Sequence, residues 1–107
     1  FGAFSTATAE GATVVGGYGS SATQVDAIAV GKEADALAVG AIAIGKLAQA
    51  TATEAVAIGK DVTGNIANTV SVKELETQTA GGGITMYSPN GTAFKLTVSD
   101  AGALVIT

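Results

Sequence analysis

Residues 27–30, 41–44 and 55–58 read Ala-Ile-Ala-Val, Ala-Ile-Ala-Ile and Ala-Val-Ala-Ile, so that small and large apolar side chains alternate along each tetrapeptide. A spacing of two puts side chains on one face of a strand but on different sides of a helix. The large members are β-branched, which suits a pleated surface. Glycine follows each tetrapeptide, and Gly17, Gly31, Gly45 and Gly59 stand 14 residues apart, with Lys73 in the next place. With slots numbered from the glycine, slot 12 reads Ile28, Ile42, Val56 and Val70, and slot 14 reads Val30, Ile44, Ile58 and Val72. Slot 13 between them holds Ala29, Ala43, Ala57 and Ser71, and slots 4 and 6 are also small: Ser20 and Ala22, Ala34 and Ala36, Ala48 and Ala50, then Val62 and Gly64.

Fourteen residues are also two heptads, so a coiled coil has to be weighed. Its seam needs apolar residues at alternating spacings of three and four. Here Ile28, Val30, Leu37, Val39, Ile42 and Ile44 are separated by 2, 7, 2, 3 and 2. The glycine inside each unit would also cost a helix about 1 kcal/mol relative to alanine. The pattern therefore predicts an all-β chain: a parallel β-roll, or β-solenoid, of 14-residue coils over residues 1–73, with clear repeats over 17–73. A degenerate first unit, residues 3–16, would put Val14 in slot 12.

On this reading Ile28, Val30, Ile42, Ile44, Val56, Ile58, Val70 and Val72 form the repeat core, packed against the small residues of slots 4 and 6, with the slot 13 alanines turned to the other face. Gly17, Gly31, Gly45 and Gly59 make the corner, through positive φ or close backbone approach. So thin a coil leaves apolar surface uncovered on a scale that marks an interface. A closed cyclic oligomer of the same chain covers it without a second sequence.

Past the repeats, residues 74–83 are a polar, glycine-rich connector, and residues 84–107 read as a small antiparallel β-meander with strands at 84–88, 92–98 and 103–107. Ser88-Pro89-Asn90-Gly91 and Ser99-Asp100-Ala101-Gly102 supply the turn chemistry. Phe94, Leu96 and Val98 share one face and Lys95 and Thr97 the other, which predicts one buried face.

Composition narrows the function. The chain has 107 residues, 48% apolar, but only three Phe, two Tyr and no Trp, so a single thick core is not expected. Five lysines against nine acids give a net charge of −4, which disfavours nucleic acid as a partner. No apolar run reaches the roughly 18 residues of a membrane span. With neither histidine nor cysteine, triads, thiol nucleophiles and the common metal-ligand sets are excluded. No catalytic residue, metal site or cofactor is therefore predicted. Asp26 and Glu54 share slot 10 two coils apart, about 10 Å along the axis. That is wider than the separation in a retaining glycosidase and at the edge of the inverting range, and the plainer reading is two solvated acids. Lys32, Lys46 and Lys60 follow successive repeat glycines and form a candidate ladder for anionic surface sugars. The plainer reading is a solubilising corner with acidic neighbours Glu33 and Asp61.

The pentapeptides AIAVG (27–31), AIAIG (41–45) and AVAIG (55–59), with the degenerate TVSVK (69–73), resemble the head repeats of YadA-like trimeric autotransporter adhesins. The resemblance covers roughly residues 14–73. It implies a left-handed parallel β-roll, assembled as a homotrimer, whose role is attachment. Residues 84–107 resemble, more weakly, short β-modules of bacteriophage tail and fibre proteins. Together the two imply a homotrimeric fibre module on a virion surface that mediates host adhesion. Its partners would be other virion or fibre proteins and a host surface polysaccharide or protein. The alternative is the head of a bacterial adhesin on the cell surface, binding host matrix or cells.

Overall fold

The computed structural model describes residues 3–107, and all of their regular structure is strand. The first ten strands are β1 (Thr6–Ala7), β2 (Thr13–Val15), β3 (Ser21–Ala22), β4 (Ile28–Val30), β5 (Asp35–Ala36), β6 (Ile42–Ile44), β7 (Gln49–Ala50), β8 (Val56–Ile58), β9 (Thr63–Gly64) and β10 (Val70–Val72). Odd-numbered strands make one five-stranded sheet and even-numbered strands another. Both are parallel, and from β3 and β4 onward each residue pairs with the one 14 places later: Ile28 with Ile42, Ile42 with Val56 and Val56 with Val70. The chain is thus a parallel β-solenoid of about five turns up to Glu74. A separate compact unit, Leu75–Thr107, follows.

The inside of the solenoid is alanine. Slots 4, 6, 11 and 13 supply Ala22, Ala27, Ala29, Ala34, Ala36, Ala41, Ala43, Ala48, Ala50, Ala55 and Ala57, each with 0% exposure. Strand alternation turns the neighbouring slots 12 and 14 outward, so Ile28, Val30, Ile42 and Val56 are half-buried and Ile44, Ile58, Val70 and Val72 are exposed. This corrects the expected core. The columns Ile28-Ile42-Val56-Val70 and Val30-Ile44-Ile58-Val72 exist, but they lie on the outer face. The middle coils enclose room for little more than methyl groups, so the phase of the two-residue alternation is the opposite of the one expected.

Ser20 takes an alanine slot and is the buried polar residue of the core; its hydroxyl donates to the carbonyl oxygen of Gly31. At the two ends larger residues enter: Val14 packs against the first inner alanines, and Val62 is 6% exposed in the last coil.

Two corners close each coil, and both place a residue in the left-handed region. Slot 3 holds Phe4, Gly19, Glu33, Leu47 and Asp61, and slot 10 holds Gly11, Asp26, Gly40, Glu54 and Asn68, all with φ between 55° and 70°. A hydrogen bond from the slot 4 amide to the slot 1 carbonyl spans the first corner, as in Ala48 to Gly45 at 3.2 Å. The slot 11 amide and slot 8 carbonyl span the second, as in Ala55 to Ala52 at 3.1 Å. The glycine column of slot 1 obeys a different constraint. Gly45 has φ +127°, and a Cβ built there would lie 2.7 Å from the carbonyl carbon and oxygen of Gly59. Positive φ and close approach thus act together, and Lys73 occupies the slot only where no further coil stacks on it.

The first coil departs from the expected register. Thr6 pairs with Ser21 and Thr13 with Ile28, an offset of 15. Thr13, not Val14, therefore takes slot 12, and Val14 takes the inward slot 13. The extra residue is Gly16, accommodated at the corner with φ +64° and open space where its side chain would be.

The unit Leu75–Thr107 is an antiparallel meander of β11 (Ile84–Tyr87), β12 (Ala93–Val98) and β13 (Leu104–Ile106). The turns form where expected: the Gly91 amide donates to the Ser88 carbonyl at 2.8 Å, the Gly102 amide to the Ser99 carbonyl at 2.9 Å, and both glycines have φ near +84°. Its apolar face is not buried within the chain, contrary to expectation: Phe94 and Val98 are exposed and Leu96 is half-buried.

Two outcomes follow from this packing. Gly45→Ala meets both strain and backbone and should lower unfolding free energy by more than about 3 kcal/mol, whereas Gly16→Ala meets only strain and should cost about 1–2 kcal/mol. Urea titration followed by circular dichroism measures both; equal shifts would contradict the stacking. By the same assay Ala43→Leu should cost about 1–3 kcal/mol or more through overpacking, and Ile44→Leu less than about 1.5 kcal/mol.

Candidate functional site

The solenoid presents two unlike outer faces. The sheet of two-residue strands carries slot 5 outward, a polar column of Thr6, Ser21, Asp35, Gln49 and Thr63 in direct register. The sheet of three-residue strands carries slots 12 and 14 outward, a double column of Ile and Val from Ile28 to Val72. One face is therefore built for water and the other for covering. The signal for this lay in the small residues: they recur at four slots per coil, as many as two facing sheets need to fill an interior, while the large ones recur at only two.

The lysine ladder sits at the slot 2 corner, with Lys32, Lys46 and Lys60 all exposed. Two of its three members have a carboxylate beside them in the same chain: Lys32 Nζ lies 4.0 Å from Glu33 Oε1, and Lys60 Nζ lies 3.0 Å from Asp61 Oδ2. Lys46 is followed by Leu47 and makes no ion pair among the described residues. The Asp61 carboxyl is held below its usual range by the hydrogen bond from Lys60, with further help from Lys73 and Lys46. Exposed pairs of this kind add little to stability and are screened by salt. The corner thus carries mixed charge rather than a uniform positive stripe.

Asp26 and Glu54 do not converge on a common point. Each occupies a slot 10 corner, with Gly40 in the coil between them. Each side chain folds over the coil beneath it: Asp26 lies across Gly11 and Glu54 across Gly40, in the space a Cβ would take. Among the described residues no group of three or more acidic side chains is placed to hold a metal ion, and no helix is long and apolar enough to cross a membrane.

Sequence reasoning overlooked Asp35. Partial burial raises its carboxyl above the usual range, the charge of Glu33 adds to the rise, and a hydrogen bond from Gln49 in the next coil opposes it. Because ionisation is disfavoured in the folded state, the stability this group contributes is present below the ordinary carboxylate pKa and is lost as pH rises through its raised folded value. Asp35→Asn should therefore melt at a higher temperature than the parent at neutral pH and at the same temperature at about pH 3. A pH series of thermal melts measures this. An advantage confined to acidic pH would contradict it.

Residues 17–34 and 36–61 match the family model for the YadA head domain repeat, in two copies. Comparison with curated proteins gives no match, and neither does comparison with solved structures. The family match lies wholly within the regular coils and does not reach the meander. The coils of this chain are similar to YadA head repeats both in sequence and in forming a β-solenoid.

Proposed function

We propose that the chain is an attachment module of the YadA type: the head of a trimeric adhesin displayed on a bacterial surface, acting by contact and not by catalysis. The repeat match over residues 17–34 and 36–61 is the observation that carries this reading. The expected virion fibre draws no support from that match. What set it apart from the adhesin reading was the resemblance of residues 84–107, which lie outside the match.

The two-faced solenoid supports the trimeric part. Three chains around an axis turn slots 12 and 14 inward, toward one another, and leave the polar slot 5 column outside. Closure of this kind, through heterologous contacts that complete a ring, covers the Ile and Val columns in every copy without a second sequence. Three heads on one rod then act together, so that weak single contacts to host matrix or cells add through avidity.

Sedimentation equilibrium of the purified chain should give three times the 10.3 kDa chain mass. Ile44→Asp places a charge on the covered face without entering the alanine interior. It should therefore sediment as a monomer that keeps its strand circular dichroism. Lys46→Asp, at the solvated corner, should remain a trimer. Surfaces coated with the parent should retain host cells or matrix proteins, and the monomeric variant should not. A parent that is a folded monomer at micromolar concentration would contradict the assembly, and a trimer that retains neither ligand would contradict the attachment role.

A further inference from the structure

We infer that the apolar face of the C-terminal meander is an interface between copies of this chain, closed by the same face of the other two protomers. The inference rests on the trimer proposed above and extends it to a part of the chain that the repeats do not reach.

Pairing in β11–β13 puts Ile84 beside Leu96, Met86 beside Phe94, Leu96 beside Ile106 and Val98 beside Leu104, all on one side of the sheet. The opposite side is mixed: Thr85, Lys95 and Thr97 stand there with Tyr87, Ala93 and Val105. No residue of 75–107 is buried in the chain, and on the apolar side Val98 is 62% and Leu104 73% exposed. An open hollow of about 290 Å³ lies between Ile84, Leu96, Val98 and Leu104 of this face and residues 75–83 of the same chain, which border the face without filling it. A unit of 33 residues, Leu75–Thr107, without an interior falls below the roughly 40 residues at which a domain supports itself, and it needs a staple or a partner. With no cysteine and no group able to hold a metal among the described residues, the staple is missing.

Area identifies the partner. Only β12 has six residues, so six residues at about 3.4 Å by three strands at about 4.8 Å bound the face at roughly 300 Å². A stable interface between free partners takes about 800 Å² from each. The face is therefore too small to recruit a protein from solution. It is large enough for partners already held close. The meander continues directly from the solenoid at Glu74–Leu75, so three assembled solenoids hold three meanders at an effective concentration in the millimolar range. Three identical apolar sheets then close on one another, with the centre of β12 nearest the axis.

The chain has no native cysteine, so single cysteines report on this face cleanly. Leu96→Cys and, as a second reporter, Ile106→Cys should form inter-chain disulfides under mild oxidation, with two of three chains joined and the third left single on a non-reducing gel. Thr85→Cys, on the opposite side, should stay single. Each sample is also sedimented. A trimer in which neither Leu96→Cys nor Ile106→Cys cross-links, or in which Thr85→Cys cross-links equally, overturns the inference and leaves the trimer standing. A monomer by sedimentation overturns both.

Discussion

Everything in the solenoid depends on how little space a 14-residue coil encloses. Coils stack at about 4.8 Å, the spacing of hydrogen-bonded strands, and two short sheets face each other across an interior that, between its end coils, admits little more than methyl groups. Eleven alanines at 0% exposure fill it. That choice dictates the rest. If the interior takes only alanine, the large aliphatics that give the strands their β-propensity have to stand outside, and the molecule acquires an apolar surface because its core is small. The usual relation between hydrophobicity and burial is reversed within a single chain and would be restored only in an assembly.

The corners express the same constraint in the backbone. Turning twice within 14 residues needs two left-handed residues per coil, and several are Asp, Glu, Leu or Asn instead of glycine. Each such residue costs on the order of 1–2 kcal/mol. The strain is held in place by register, since from the second coil onward the amide of each left-handed residue donates to the coil beneath it, as Leu47 does to Lys32 and Glu54 to Val39 at 2.9 Å. At Gly17, Gly31 and Gly45 of slot 1 the restriction to glycine is also steric, because the backbone of the next coil occupies the place of a side chain.

Much of this was legible in the sequence, and the boundary between what was and was not is physical. Period, strand positions, parallel register and both hairpin turns follow from spacings of 14 and 2 and from Pro89, Gly91 and Gly102, which act locally. The direction in which Ile42 and Ala43 point does not follow from spacing. Alternation defines two faces but not which is inside, and the assumption that larger residues lie inside fails when the coil is too narrow for them. Gly16 shows a second limit: a one-residue insertion at a corner leaves local composition unchanged while moving Val14 from an expected outward slot to an inward one. The meander's open face is a third, since Phe94, Leu96 and Val98 announce burial without saying which molecule supplies the cover. For the candidate site, the Lys32-Lys46-Lys60 column could be read directly. The partial burial of Asp35 could not, because it depends on the packing of adjacent coils.

The central claim, that small residues face inward and large ones face other copies, is tested most directly by isotope-filtered methyl NOEs in a mixed sample of labelled and unlabelled chains. The methyl of Ala43 should show contacts only within its own chain, to the alanines of the facing sheet and of adjacent coils, while the methyls of Ile42 and Ile44 show contacts between chains. Inter-chain contacts at Ala43, with Ile42 and Ile44 seeing only their own chain, would contradict the account.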